Sequence, residues 1–455
     1  MRKSLCLVMT AALVAGACRK SETPAPAASG PASTGVESPT PAASAPAGDA
    51  EPSGGTAKKP GPPAEPMNVI LLLVDSMRAD MPWAGYPRDI APNLTALEKE
   101  SISYTRGYAL SSYTAKSVAG LLAGKYPSSL LRSGVFFTRY PEANLFLPEL
   151  LQKAGSYNLS THGHMYMRGQ NGLEQGFDDW KVVPGITFNA QTDNHVTSHK
   201  MTPLIIEQLA KVPPGKPFFL YAHYMDPHDQ YVKHKETPDF GSKIRDKYDS
   251  EMFYTDMWIG KLLEHCKAQP WWKSTLVIVS ADHGEAFGEH GMYRHAFELW
   301  NMLTHVPLFF RVPGAQPRRI DTPRSHIDIA PTVAELMKAT GEHDFVGKSL
   351  VPEFYGAEPE PRPVLLDLPE DSNNPQRRAL IDGDLKLLVF EKDYRFELYD
   401  LKTDPGEKQN LAKTEPEKLA AMKALYEKTW GAVKTVKPYG GNKLKSGGTA
   451  NGPMK

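Results

Sequence analysis

The sequence predicts an α/β sandwich with a mostly parallel central sheet, followed by a small C-terminal α+β subdomain. Two observations carry that expectation. Continuous apolar runs, "NVILLLVD" (68–75), "PFFLYAHY" (217–224), "TLVIVSADHG" (275–284) and "PLFFRV" (307–312), have the pattern of strands buried on both faces. Helical patterns such as "APNLTALEKES", "LPELLQKAG" and "TPLIIEQLAKV" lie between them, so strand and helix alternate as a parallel sheet requires.

Taken in order, "MRKSLCLVMTAALVAGAC" (1–18) gives a basic start, an apolar stretch short for a bilayer, and small residues before Cys18. That is the pattern of an export signal. Its "AGAC" ending resembles a bacterial lipoprotein box, which implies lipidation of Cys18 and a cell-envelope protein, periplasmic or on the outer surface, tethered to the membrane without spanning it. An ordinary signal peptide with an incidental cysteine is the alternative. Only Cys266 then remains in the mature body, which excludes a disulfide framework and a cysteine metal site. Residues 19–66 are mostly Pro, Ala, Ser, Gly and Thr, the composition of a disordered linker. The α/β domain is expected over 67–355. Residues 356–438 change texture: "RRALIDGDLKLLVFEKDYRFELYDL" alternates like antiparallel strands with turns at Asp382-Gly383 and Lys392-Asp393, and "EPEKLAAMKALYEKTWGAV" carries a helical apolar stripe. This subdomain reads as a lid or wall. Residues 439–455 read as a flexible tail. Lys plus Arg and Asp plus Glu number 52 each among 455 residues, so no global field points to nucleic acid as a partner.

In open α/β sheets ligands sit beyond the carboxyl ends of the strands. Asp75 closes the first run, His223 and His228 lie at the end of the second, and Asp282 with His283 close the third. Cleaving a phosphate or sulfate ester requires a nucleophile, a metal and an acid for the leaving oxygen. Asp75, Asp282 and His283 offer a metal set, and Thr114 in "SSYTAKSVAGLLAGKYPSS" (111–129) offers a hydroxyl, activated as a metal ligand or at a helix N-terminus. Alone, Thr114 reads as readily as an N-cap for "AKSVAGLLAG". Lys116 and Ser117 either steady an ester oxygen or form a solvated first turn.

From about residue 67 to 413 the chain resembles the sulfatase family of the alkaline phosphatase superfamily. "NVILLLVDSMRAD", "APNLTALEKESISYTRGYA", "LLAGKYPS", "HYMDPHDQY", "SADHGEAFGEHGMYRH", "HVPLFFRVPG", "SHIDIAPTVAELM" and "LYDLKTDPGEKQNLA" carry that resemblance, in the family's order. It implies a sulfatase-like sandwich with Asp75, Asp282 and His283 as metal ligands, Thr114 at the nucleophile position, and His228 beside the ester oxygen as leaving-group acid. His295 stands where sulfatases place a sulfate-gripping lysine, and is similar instead to lipid A phosphoethanolamine transferases, which use threonine. His223 reads as a residue behind the ligands. One of His162 and His164 is a candidate substrate contact, with a structural role favoured. His290 reads equally as a ligand or a loop stabiliser, Arg78 and Asp80 as a structural network, His305 and His326 as packing or capping residues.

Two departures from the family shape the functional expectation. Thr114, Lys116 and Val118 replace the Cys, Pro and Arg of the motif from which sulfatases make formylglycine, so that route is closed. Ser76 replaces a second aspartate, which favours zinc or manganese over an oxygen-only calcium cage, with calcium possible. The expectation is a metal-dependent hydrolase or transferase that uses catalytic Thr114, Lys116, His228 and His295 on a small-molecule, lipid or glycan ester. The rivals are a sulfuric ester hydrolase lacking formylglycine and an inactive surface-binding lipoprotein.

Overall fold

A computed structural model describes residues 61–187, 196–390 and 394–440. The expected signal and almost all of the expected linker lie outside the described residues, as do the Lys392-Asp393 turn and 441–455. Tyr439 and Gly440, read from sequence as the start of the tail, are bonded: their carbonyls accept from Gly134 N at 3.1 and 2.8 Å, and Tyr439 N donates to Arg132 O at 2.9 Å.

The apolar runs form an eight-stranded sheet. Its strands are β1 (Asn68–Val74), β2 (Ile102–Tyr104), β3 (Tyr157–His162), β4 (Asp179–Val182), β5 (Phe218–Tyr224), β6 (Thr275–Ser280), β7 (Leu308–Arg311) and β8 (Arg318–Ile320). The spatial order is β8-β2-β7-β6-β1-β5-β3-β4. All neighbours run parallel except β7, which is antiparallel to both β2 and β6.

Every residue of β1 is buried, as its unbroken apolar sequence requires of a central strand. Alternation divides those residues between two cores. Val69, Leu71 and Leu73 pack with Val118, Leu121 and Leu122 of the Thr114–Ala123 helix. Ile70, Leu72 and Val74 pack with Met252, Ile259 and Leu262 of the long Ile244–Lys267 helix. Each fully buried aliphatic side chain contributes about 1.5–3 kcal/mol, so the sheet is anchored on both faces. The Thr114–Ala123 helix stops at Gly124, whose φ of 58° suits glycine best.

The C-terminal segment forms an antiparallel sheet, β9 (Val364–Leu368), β10 (Arg377–Asp382), β11 (Leu385–Phe390) and β12 (Arg395–Asp400) in sequential order. Asp382 pairs with Leu385 around Gly383, at the turn expected from sequence. Leu365, Leu380, Leu387 and Leu398 face Met422 and Tyr426 of the Pro416–Gly431 helix. The other face, with Leu366, Ala379 and Ile381, packs on Tyr108, Tyr113 and Ala115 beside the start of the Thr114 helix. The small sheet is therefore built against the floor of the site. Among the described residues no helix is long and apolar enough to cross a membrane.

Candidate active site

Strand register assembles the site. His223 is opposite Leu73 on one side of β1 and Ser280 is opposite Leu73 on the other. Asp75, His223 and Asp282 continue the odd and even series 69-71-73, 219-221 and 276-278-280, whose apolar members share one core with the Thr114 helix. Three adjacent parallel strands thus deliver two carboxylates and an imidazole to one point. Their ligand atoms lie within 4.8 Å of one another, and all three residues are buried. His223 Nε2 stands 3.5 Å from Asp75 Oδ2 and 3.7 Å from Asp282 Oδ2.

The donor set fits a small divalent cation. His223 Nε2 and Asp282 Oδ2 are buried and have no hydrogen-bond partner, an arrangement that is costly unless a cation satisfies them. The electrostatics agree. Burial opposes a charge on His223, yet the two carboxylates raise its pKa to about 9, and against burial the surrounding histidines hold Asp75 well below the usual carboxylate range. Negative potential is focused where the three donors converge. Ser76, in a left-handed conformation with φ 58°, donates to Asp75 Oδ1 at 2.8 Å, so it orients the carboxylate.

Thr114 is the first residue of its helix, after Tyr113 as N-cap, and its hydroxyl does not cap. Thr114 Oγ1 instead lies 3.3 Å from Asp75 Oδ2 and 3.0 Å from His283 Nε2. His283 Nδ1 is 2.9 Å from Gly284 O, which assigns the proton to Nδ1 and leaves the Nε2 lone pair toward Thr114. Expected from sequence as a metal ligand, His283 has its Nε2 3.3 Å from Asp282 Oδ2, beside the donor cluster rather than in it.

His295 stacks on His283, with ring centroids 4.1 Å apart, and His228 meets His295 edge to face at 4.9 Å. His295 Nδ1 is 3.3 Å from Glu285, a buried carboxylate that also accepts from Tyr231 Oη at 2.8 Å. Burial would raise the pKa of Glu285, but the nearby histidines hold it below its ordinary value. His228 Nδ1 lies 2.8 Å from the Asp229 carbonyl, which leaves its Nε2 open. Thr114, His228 and His295 line a cavity of about 310 Å³ with Tyr113, Phe137 and Arg294.

Lys116 is corrected. Its side chain is fully buried away from that cavity, with its ammonium 2.8 Å from Asp371 and bonded to Thr138. It steadies the protein beneath Thr114 and is not among the residues that line the cavity. His223 moves the other way, from a place behind the ligands into the donor cluster itself. The parity of "NVILLLVD" and "PFFLYAHY" was the signal available for it. His164 lines the cavity, whereas His162 is buried against Ser160, at 2.6 Å, and Trp180. His290 stacks on Trp300 and contacts the Gly406 carbonyl at 3.0 Å, which makes it a loop stabiliser. Arg78 pairs with Asp80 and Glu289 at 2.9 Å in a structural network.

The sulfatase family model matches residues 67–339, and the model of the C-terminal region of N-sulphoglucosamine sulphohydrolase matches 288–432. A choline-sulfatase of Rhizobium meliloti is 25% identical over 431 residues, covering 76% of this chain and 82% of its own length. An ulvan-active sulfatase of Formosa agariphila is 25% identical over 352 residues, covering 67% of this chain and 68% of its own length. Two solved structures share the fold. A 2-O GAG sulfatase has a TM-score of 0.68 at 18% identity, covering 82% of this chain and 95% of its own. The phosphonate monoester hydrolase of Agrobacterium radiobacter has a TM-score of 0.65 at 18% identity, covering 80% of this chain and 95% of its own. The match over 67–339 takes in more than half of the 455 residues and every residue of the donor cluster, and on that ground the chain belongs to the sulfatase family.

Proposed function

We propose that this protein is a metal-dependent hydrolase or transferase of phosphate or sulfate esters, with Thr114 as nucleophile and a covalent intermediate on its hydroxyl. The observation that carries this reading is Thr114 Oγ1 poised 3.3 Å from Asp75 and 3.0 Å from His283. Asp75, His223 and Asp282 would hold a divalent cation, zinc or manganese suiting the mixed nitrogen and oxygen donors better than calcium. When bound, the cation supplies Lewis-acid charge that favours the alkoxide and the developing charge on the ester oxygens.

The chain's own groups do the rest. Thr114 Oγ1 passes its proton toward His283 Nε2 and bonds to phosphorus or sulfur. The ester bond to the leaving alcohol breaks, and His228 gives that oxygen a proton. Water or a second alcohol then attacks the same centre, giving its proton to His228, with His295 beside it, and the bond to Thr114 breaks as the threonine regains its proton from His283. Closure of the formylglycine route turns the preference toward phosphorus. The names of the relatives keep a sulfuric ester reading second. An anchor on Cys18 would hold the enzyme at a membrane of the cell envelope, facing lipid, glycan or small-molecule esters.

Mass spectrometry after incubation with paired phosphate and sulfate esters tests the reading. A phosphoryl adduct on the Thr114 peptide, and loss of turnover in Thr114→Ala, are the expected results. A sulfuryl adduct supports the second reading. Full turnover by Thr114→Ala refutes both, and an inert, metal-free wild-type protein favours the binding lipoprotein.

A further inference from the structure

The connection between β9 and β10 reaches into the site from the C-terminal sheet. Its Asp371 is 4% exposed, and its carboxylate accepts four bonds. Oδ2 takes the buried Lys116 ammonium at 2.8 Å and Asn374 Nδ2 at 3.0 Å, while Oδ1 accepts from Asn373 N and Asn374 N, both at 2.8 Å. Lys116 lies two residues after Thr114. Asn374 Oδ1, held in this way, accepts from Phe297 N at 3.0 Å, two residues after His295. Ser372 Oγ accepts from Phe136 N at 3.0 Å, on the cavity wall.

The loop fixed by Asn374 needs fixing. Arg294, Ala296 and Phe297 all have positive φ, at 69°, 70° and 62°, a conformation that side-chain-bearing residues keep only when their surroundings impose it. Among the bonds that hold it are Phe297 N to Asn374 Oδ1 at 3.0 Å and Ala296 N to Ser112 O at 2.8 Å. The latter ties the loop to the segment just before Thr114. His295, stacked on His283, rides on that loop. The metal donors do not, because Asp75, His223 and Asp282 are set by the register of the central sheet.

We infer that Asp371 is a positioning residue that holds the Thr114 helix and the His295 loop in register with each other. The inference rests on the ester-cleaving reading above only for its catalytic consequence. The residue belongs neither to the cavity lining nor to the donor cluster. It acts through Lys116 on one side and through Asn374 on the other.

The test compares wild type with Asp371→Asn and with Asp371→Asn/Lys116→Gln, which restores a neutral hydrogen bond between the two side chains. Each is assayed at a temperature where circular dichroism shows it folded. For 4-nitrophenyl phosphate or 4-nitrophenyl sulfate, whichever is turned over, kcat should fall roughly 10- to 100-fold in Asp371→Asn with KM changed less than about threefold. Calorimetric affinity for zinc should stay within about threefold of wild type, and the double variant should recover part of kcat. Hydrogen exchange supplies the readout that needs no turnover. In Asp371→Asn, amides of 294–300 and 111–120 should exchange faster, while those of β1 and β6 stay protected.

Wild-type exchange rates in both segments, or an unchanged kcat, overturn the inference and leave the ester reading standing. A parallel loss of zinc affinity also overturns it, since the effect would then be general loosening. If wild type cleaves neither ester, the reaction reading fails, and the exchange pattern alone supports or overturns the positioning role.

Discussion

His326 provides a prediction whose size can be worked from its surroundings. It begins the turn before the Ile329–Leu336 helix and is completely buried. Ser280 Oγ is 2.6 Å from Pro307 O and 2.8 Å from His326 Nε2. With the serine donating to the carbonyl, the imidazole proton sits on Nε2. Nδ1 has no partner, so a second proton there would be both buried and unpaired. Burial accordingly pushes the pKa of His326 down to about 4. Unfolded, the group titrates near its ordinary value of about 6.5. Between those values the unfolded chain binds a proton that the folded chain refuses, so stability falls as pH drops through this window and is fully present above it. From about pH 7.5 to about pH 5 the loss amounts to about 2 kcal/mol from this residue. His326→Gln keeps a donor for Ser280 and cannot titrate. Urea unfolding at the two pH values, followed by circular dichroism, should show the wild type losing about 2 kcal/mol more than the variant. Equal losses in the two proteins would refute the reasoning, because Glu251, whose burial raises its pKa to about 7 in the opposite sense, is common to both.

Other perturbations bear on the site. His223→Ala removes the nitrogen donor and leaves Asp75 and Asp282 facing each other, so zinc affinity measured by calorimetry should fall at least roughly tenfold. Gly284→Ala places a Cβ 2.1 Å from the Met302 carbonyl, next to His283. It should destabilise by about 1–3 kcal/mol in urea unfolding and reduce turnover at the same time. Glu285→Gln keeps the volume and removes the charge facing His295. With the carboxylate that meets His295 Nδ1 at 3.3 Å gone, kcat in an ester-turnover assay should fall roughly tenfold.

Much of the site was legible because central strands announce themselves. Three apolar runs each end in a side chain able to hold a metal, and a sheet with parallel neighbours must bring such ends together. Thr114 stood out through the helix behind it. What the sequence could not supply was pairing across distance. Parity puts His223 on the right face of its strand, but it joins the donor cluster because it is opposite Leu73, in a register that no local pattern specifies. Lys116 looked free to meet an ester oxygen because its counterion, Asp371, is 255 residues away and lies in a connection with no motif. The left-handed turn at Arg294, Ala296 and Phe297 contains no glycine, so nothing in its composition signalled it.

That 255-residue separation has a consequence for how the enzyme comes into being. A ribosome adding about 5–20 residues per second takes roughly 10–50 s to travel from Lys116 to Asp371. By the end of that interval all three donor strands and most of the Thr114 helix's packing partners exist as chain, while the lysine beneath them lacks its counterion and the histidine loop lacks its brace. The emerging polypeptide is thus without the brace beneath its site until Asp371, in the last quarter of the chain, has been made.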